Sequence, residues 1–341
     1  MQINAADQMI QRKILAACLQ TRGKQGASRM TTPRAGTNTT NAGTFGTFDV
    51  PGTIMTNPNS INNSGAITGA YVDAGGLIHS FLRTSDGTLT PFDAPGATCS
   101  PTQNFCSFSF GINPAGTIVG AVSTNADCTA GPGFLRAPNG TFTEFDPPFA
   151  EVTVAFVINP DGVAAGSFLS SKGGVHGFLR APNGTFTTFD PLGSVFTQPN
   201  AINPAGTVTG SFTDVRGVGH GFLRTSDGTI TVFDPPGSVG TSGNAINPAG
   251  TVVGLFGTTP TFPAGVRGFL RAPNGTITVF DAAPGSTYTN PQAISPAGTI
   301  VGFFTTDDFS TSHGFLRTPT GTITVFDPPG SLLTFVPGGG P

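Results

Sequence analysis

Residues 190–234 read DPLGSVFTQPNAINPAGTVTGSFTDVRGVGHGFLRTSDGTITVFD. Two turn signals divide this stretch. The first is Asn203-Pro204-Ala205-Gly206-Thr207 and the second is Thr225-Ser226-Asp227-Gly228-Thr229. Proline pre-sets the φ of the second position of a type I turn, and glycine supplies the left-handed residue that follows. Both signals predict three-residue hairpin loops closed by a glycine bulge. The flanking segments are short and rich in β-branched and aromatic residues, so each reads as a strand. One unit is therefore four strands, a to d, in two hairpins. No helical period appears from residue 43 onward.

The unit recurs. Phe-Leu-Arg ends at Arg83, Arg136, Arg180, Arg224, Arg271 and Arg317, and Phe-Asp ends at Asp49, Asp93, Asp146, Asp190, Asp234, Asp281 and Asp327. Each of the six Arg residues precedes the next Asp by ten positions. An antiparallel four-stranded unit of about 46 residues, repeated, describes a β-propeller blade. A β-solenoid has a shorter rung and ranks second. The fold expected is all-β, a propeller of four-stranded antiparallel blades over residues 43–341. Residues 44–49 form an extra copy of strand d, so six blades with one surplus strand is the first reading. Seven blades, the last assembled from that strand and the tail at 331–336, is the alternative.

Composition narrows the function. Charged residues make up 10% of the 341, net charge is −3, and 30 residues are Phe. Disordered chains carry high charge and few aromatics, so this one is expected to fold despite 49 glycines and 30 prolines. A nucleic-acid partner is not expected, because the basic footprint is missing. No apolar run is long enough for a membrane span. Residues 1–42 read as a disordered or mis-started leader. Leu15-Ala16-Ala17-Cys18 matches a lipoprotein cleavage box, but the apolar stretch before it is too short for a signal peptide.

Length variation is confined. From turn Gly to Arg the spacings are 18, 20, 18, 18, 21 and 19, and from Asp to the next turn Gly they are 16, 23, 16, 16, 16 and 17. Insertions fall only in the b–c and d–a connections, which share one face of a propeller. Binding residues concentrate on variable loops over a rigid scaffold, so that face is where a partner is expected.

The combination of Ile-Asn-Pro-Ala-Gly-Thr with His176-Gly177-Phe178, His220-Gly221-Phe222, His313-Gly314-Phe315 and His79-Ser80-Phe81 resembles the bacterial extracellular repeat family called HAF. Gly or Ser replaces the family's Ala, and Pro132 and Arg267 replace His. The resemblance spans residues 44–327. It implies secretion or surface exposure and no assigned chemistry.

Candidate chemistry is sparse. The four His residues share one repeat position at the start of strand c, away from the innermost strand, and are expected to be structural. The recurrent Arg and Asp lie on adjacent strands and are expected to pair within or between blades, or the Asp to cap the turn that follows. Asn62, Asn113, Asn159, Asn203 and Asn247, with Ser295 in the sixth unit, are expected to bond the first turn rather than line the funnel. No nucleophile elbow or calcium loop is present, and Glu occurs only at Glu144 and Glu151. Asp307 and Asp308 form the nearest acidic cluster and read as a solvated tip. Cys99, Cys106 and Cys128 flank the insertions of the second unit, at spacings that do not fit zinc. One disulfide among them is expected in an oxidising compartment, its pairing open. The expectation is a non-catalytic extracellular binding or scaffold module, without cofactor or metal, for a protein or extracellular polymer. A self-associating surface protein is the alternative, and a metal-dependent lactonase or lyase comes third.

Overall fold

The computed structural model describes residues 39–40, 43–97, 107–124, 130–259, 265–306, 310–328 and 331. Cys99, Cys106 and Cys128, the pair Asp307 and Asp308, the tail beyond Ser331 and nearly all of the leader lie outside the described residues. Every regular element described is a strand.

In the fourth unit strand a is Ser194–Ile202, b is Val208–Asp214, c is Gly219–Arg224 and d is Ile230–Phe233. They pair in sequence as an antiparallel meander. The predicted turns form: Gly206 N donates to Asn203 O at 2.9 Å, Asn203 N donates to Thr207 O at 3.0 Å, and Gly206 takes φ 78°. The other units repeat this pairing, with strand a at Thr53–Ile61, Ser107–Ile112, Ala150–Ile158, Gly240–Ile246 and Tyr288–Ile294. The first and second units are separate four-stranded sheets. The third to sixth are fused into one mixed 16-stranded sheet. The fusion arises where strand c meets strand a of the following unit in parallel at a single pair, as Val175 does Phe196.

Strand a is irregular at one fixed place in all six units. A register shift opposite strand b leaves Asn59, Phe110, Phe156, Asn200, Asn244 and Gln292 as the extra residue of a bulge. The kink drives the carbonyl two residues earlier onto strand b. That is why strand b carries Gly69, Gly120, Gly166, Gly210, Gly254 and Gly302: a Cβ on Gly210 would overlap Gln198 O and crowd the Phe222 ring.

The core lies between successive units. Phe189 of the third unit joins Ile202, Val208, Phe212 and Phe222 of the fourth in one buried cluster. Phe81, Phe134, Phe178, Phe222, Phe269 and Phe315, the Phe of each Phe-Leu-Arg, are fully buried. Each such ring contributes roughly 1.5–3 kcal/mol by leaving water.

The boundary between the sixth and first units differs. Residues 45–49 are irregular rather than the surplus strand expected, yet they keep that strand's packing. Phe48 sits 6.0 Å from the Phe81 ring and beneath Arg83, and Phe45 meets Phe326 at 6.3 Å. Ile61 stays 46% exposed there, while its counterparts Ile112, Ile158, Ile202 and Ile246 are 1–6% exposed.

Candidate binding site

The recurrent Arg and Asp do not pair with each other, which corrects the expected arrangement. Each Arg lies instead over the Phe of the preceding unit's Phe-Asp. Arg136, Arg180, Arg224, Arg271 and Arg317 cover Phe92, Phe145, Phe189, Phe233 and Phe280 at 4.8–5.3 Å. Arg136, Arg180, Arg224 and Arg271 are buried, Nε of the first three has no hydrogen-bond partner among the described residues, and burial lowers the pKa of all four. The ring face offsets part of that cost, because its quadrupole attracts a desolvated cation.

Five of the recurrent Asp residues pair with the residue fourteen positions upstream. His79, His176, His220 and His313 bring Nδ1 within 2.6–2.7 Å of Asp93, Asp190, Asp234 and Asp327, and Arg267 donates twice to Asp281. At Asp93, Asp146 and Asp190 a carboxylate oxygen also accepts from strand a of the next unit, from Ser107, Thr153 and Thr197. The Asp thus clasps two units, which is why His recurs at one position. Asp146 faces Pro132 instead of His, and burial pushes its carboxyl up. Among the described residues no three His, Cys, Asp or Glu side chains converge to hold a metal.

The Asn residues that open the first turn do bond the turn, as expected, and also reach across units. Asn203 Oδ1 accepts from Thr207 N at 2.9 Å, and its Nδ2 donates to Asn247 O at 3.3 Å. The same step runs from Asn62 to Asn113 O and onward through Asn159. Ser295 holds this place in the sixth unit, where its Oγ accepts from Thr299 N at 3.0 Å.

Strand a of all six units lines one cavity of about 430 Å³. Its lining holds the recurrent Ile112, Ile158, Ile202, Ile246 and Ile294 together with positions that differ between units. At the bulge they are Asn59, Phe110, Phe156, Asn200, Asn244 and Gln292, while the Ile three positions after Ala155 or Pro199 recurs throughout. One wall is aromatic, with Phe110 and Phe156 edge to face at 5.3 Å. The other is built of amides: Asn200 Nδ2 donates to Ser242 Oγ and Gly243 O, and Asn244 Nδ2 donates to Asn290 Oδ1 and Pro291 O. The sequence reading missed these residues; divergence within an otherwise faithful repeat was the available signal.

The loop face, where the expected site residues would lie, is described only in part, because its long insertions fall outside the described residues. Its short connections and the start of the first strand a expose Ile54, Phe149, Leu192, Val215 and Val239, from 43% to 101%. Phe149 takes φ 68° where the corresponding turns have Gly52, Gly193 and Gly237, and it is the one non-glycine residue with positive φ among those described. Lys172 Nζ stands 3.4 Å above its ring.

Solved structures with this arrangement are β-propellers. A streptogramin B lyase matches with TM-score 0.51 at 16% identity, covering 80% of this chain and 84% of that one. The β-propeller domain of the trilobed protease from Pyrococcus furiosus matches with TM-score 0.55 at 8% identity, covering 78% and 83%. A prolyl endopeptidase structure matches with TM-score 0.58 at 11% identity, covering 81% of this chain but 43% of that one. At such identity the likeness is one of fold. No family model and no curated protein matches the chain. The chain is an all-β protein of β-propeller type, and no helix in the described residues is long and apolar enough to cross a membrane.

Proposed function

We propose that the chain is a secreted or surface-exposed binding module. Its six meanders are six four-stranded blades, and residues 45–49 wedge between the last and the first. The face bearing the b–c and d–a connections holds a protein or an extracellular polymer without transforming it. The observation that carries this reading is Phe149. A bulky residue in the left-handed region costs on the order of 1–3 kcal/mol where glycine costs little. This one is 59% exposed, so it recovers little of that in the core. Strain held at an exposed aromatic is what a contact residue selected for binding looks like. The neighbouring exposed apolar side chains extend the same surface. The family resemblance of the repeats supports the location.

The test is a thermal-melt series on the full chain with extracellular polysaccharides, surface-protein extracts and increasing protein concentration. A ligand present at about 100 times its dissociation constant raises stability by about 2.7 kcal/mol. The expected result is a ligand-dependent shift that Phe149→Gly abolishes. Stability that rises with protein concentration alone would favour a self-associating surface protein. Turnover of a lactone or glycoside would replace binding with catalysis.

A further inference from the structure

We propose that the axial cavity is a second binding site, for an uncharged hydroxyl-bearing ligand: a neutral sugar residue or the end of a neutral saccharide chain. Its size falls within the range of small-molecule sites, about 300–1,000 Å³. The lining residues carry amide, hydroxyl and hydrocarbon groups and no ionisable side chain. An ion placed there would lose water without gaining a counter-charge.

The direction of the hydrogen bonds selects the ligand further. Asn200 and Asn244 spend both N–H donors across the boundary to the next unit. Asn200 Oδ1 accepts one bond, from Gln198, and Asn244 Oδ1 accepts one, from Ser242. Each carbonyl keeps a lone pair for the cavity, since an amide oxygen has two. The amide wall is thus fixed in place and rich in acceptors, which suits O–H donors. Gln292 adds an amide that bonds no other described residue. Across the cavity, Phe110 and Phe156 offer an apolar surface with a negative ring face, suited to the C–H face of a pyranose. A ligand with hydroxyls on one side and C–H groups on the other fits both walls.

The site is separate from the rim around Phe149, and its test separates the two. The full chain is titrated calorimetrically with neutral mono- and oligosaccharides, and with glucuronate and calcium chloride as charged probes. A neutral sugar is expected to bind. Gln292→Leu and Phe156→Ala are each expected to weaken it at least tenfold, whereas Phe149→Gly leaves it unchanged. If Phe156→Ala fails to fold, Gln292→Leu decides. Absence of binding by every neutral sugar at millimolar concentration, binding that both cavity variants leave intact, or binding of glucuronate or calcium alone would overturn the proposal.

Discussion

Arg224 lies 5.1 Å from the ring centroid of Phe189, a residue of the preceding unit, and Phe222 meets the same ring at 5.9 Å. The two most conspicuous repeat motifs, Phe-Leu-Arg and Phe-Asp, therefore recognise each other across the boundary between neighbours. Phe48, Phe92, Phe145, Phe189, Phe233 and Phe280 are each held between the Phe and the Arg of the Phe-Leu-Arg that follows. Phe189→Ala removes a buried ring from both contacts, and an equilibrium urea titration is expected to show a loss of about 3–5 kcal/mol. Phe48→Ala, at the partly exposed end of the series, is expected to cost less. Equal losses would mean that residues 45–49 are packed as fully as a strand.

The bulge in strand a makes the facing glycine obligatory. Gly210→Ala would drive a Cβ into Gln198 O, a backbone atom that cannot move without undoing the bulge. Its expected outcome is loss of the cooperative transition or of soluble protein. Gly217→Ala is the control. Nothing stands within 4 Å of its Cβ position, so only its φ of 84° is penalised. A cost of about 1 kcal/mol is expected.

The Asn that opens each first turn has two jobs, and substitution separates them. Asn203→Asp keeps an acceptor for Thr207 N but loses the donor to Asn247 O and sets a carboxylate against that carbonyl. It is expected to destabilise by about 1–3 kcal/mol, the cost of a buried polar group left unmatched. Ser295→Asn, where the serine hydroxyl already accepts from Thr299 N and an Asn keeps that bond, is expected to change stability by less than about 0.5 kcal/mol. Urea midpoints of the two variants check both statements.

Stability should depend on pH at both extremes. The Thr84 hydroxyl holds the Asp86 carboxyl down to about 2, and the Val218 backbone N–H, with Arg216, does the same for Asp214. A folded value below the unfolded one, about 3.9, means that their contribution is complete above that pH and is lost as pH falls toward 2. At the other end, burial raises the Tyr288 phenol to about 12. Its contribution is complete below about pH 10 and is lost as pH rises toward 12. The chain has two Tyr and no Trp, so phenolate absorbance reports this directly. One of the two Tyr is expected to be only half ionised near pH 12; full ionisation of both by pH 10.5 would place Tyr288 in water.

Much of the architecture was legible because the turns are local. Asn203-Pro204-Ala205-Gly206 sets its own backbone, and β-branched residues follow it. What strand c does with Arg224 was not legible. The partner Phe189 is on another unit, and the repeat pattern suggested an Asp within or between units instead. The His residues were expected to be structural, but their Asp partners came only from the antiparallel register that sets His220 near Asp234. The cavity wall was hidden for a third reason. Asn200 and Phe156 face the axis only because a bulge turns them there, and no residue type announces a bulge of that kind. The fusion of the third to sixth units into one sheet rests on single parallel contacts, which leave no pattern in the sequence.

The binding reading stands on one claim, that Phe149 is kept at a cost to the fold. The measurement that tests it most directly is the unfolding free energy of Phe149→Gly against the parent chain in urea. A gain of about 1 kcal/mol is predicted, the relief of left-handed strain less the contact with Lys172. A loss of stability would show that Phe149 serves the fold, and would contradict its assignment to the binding face.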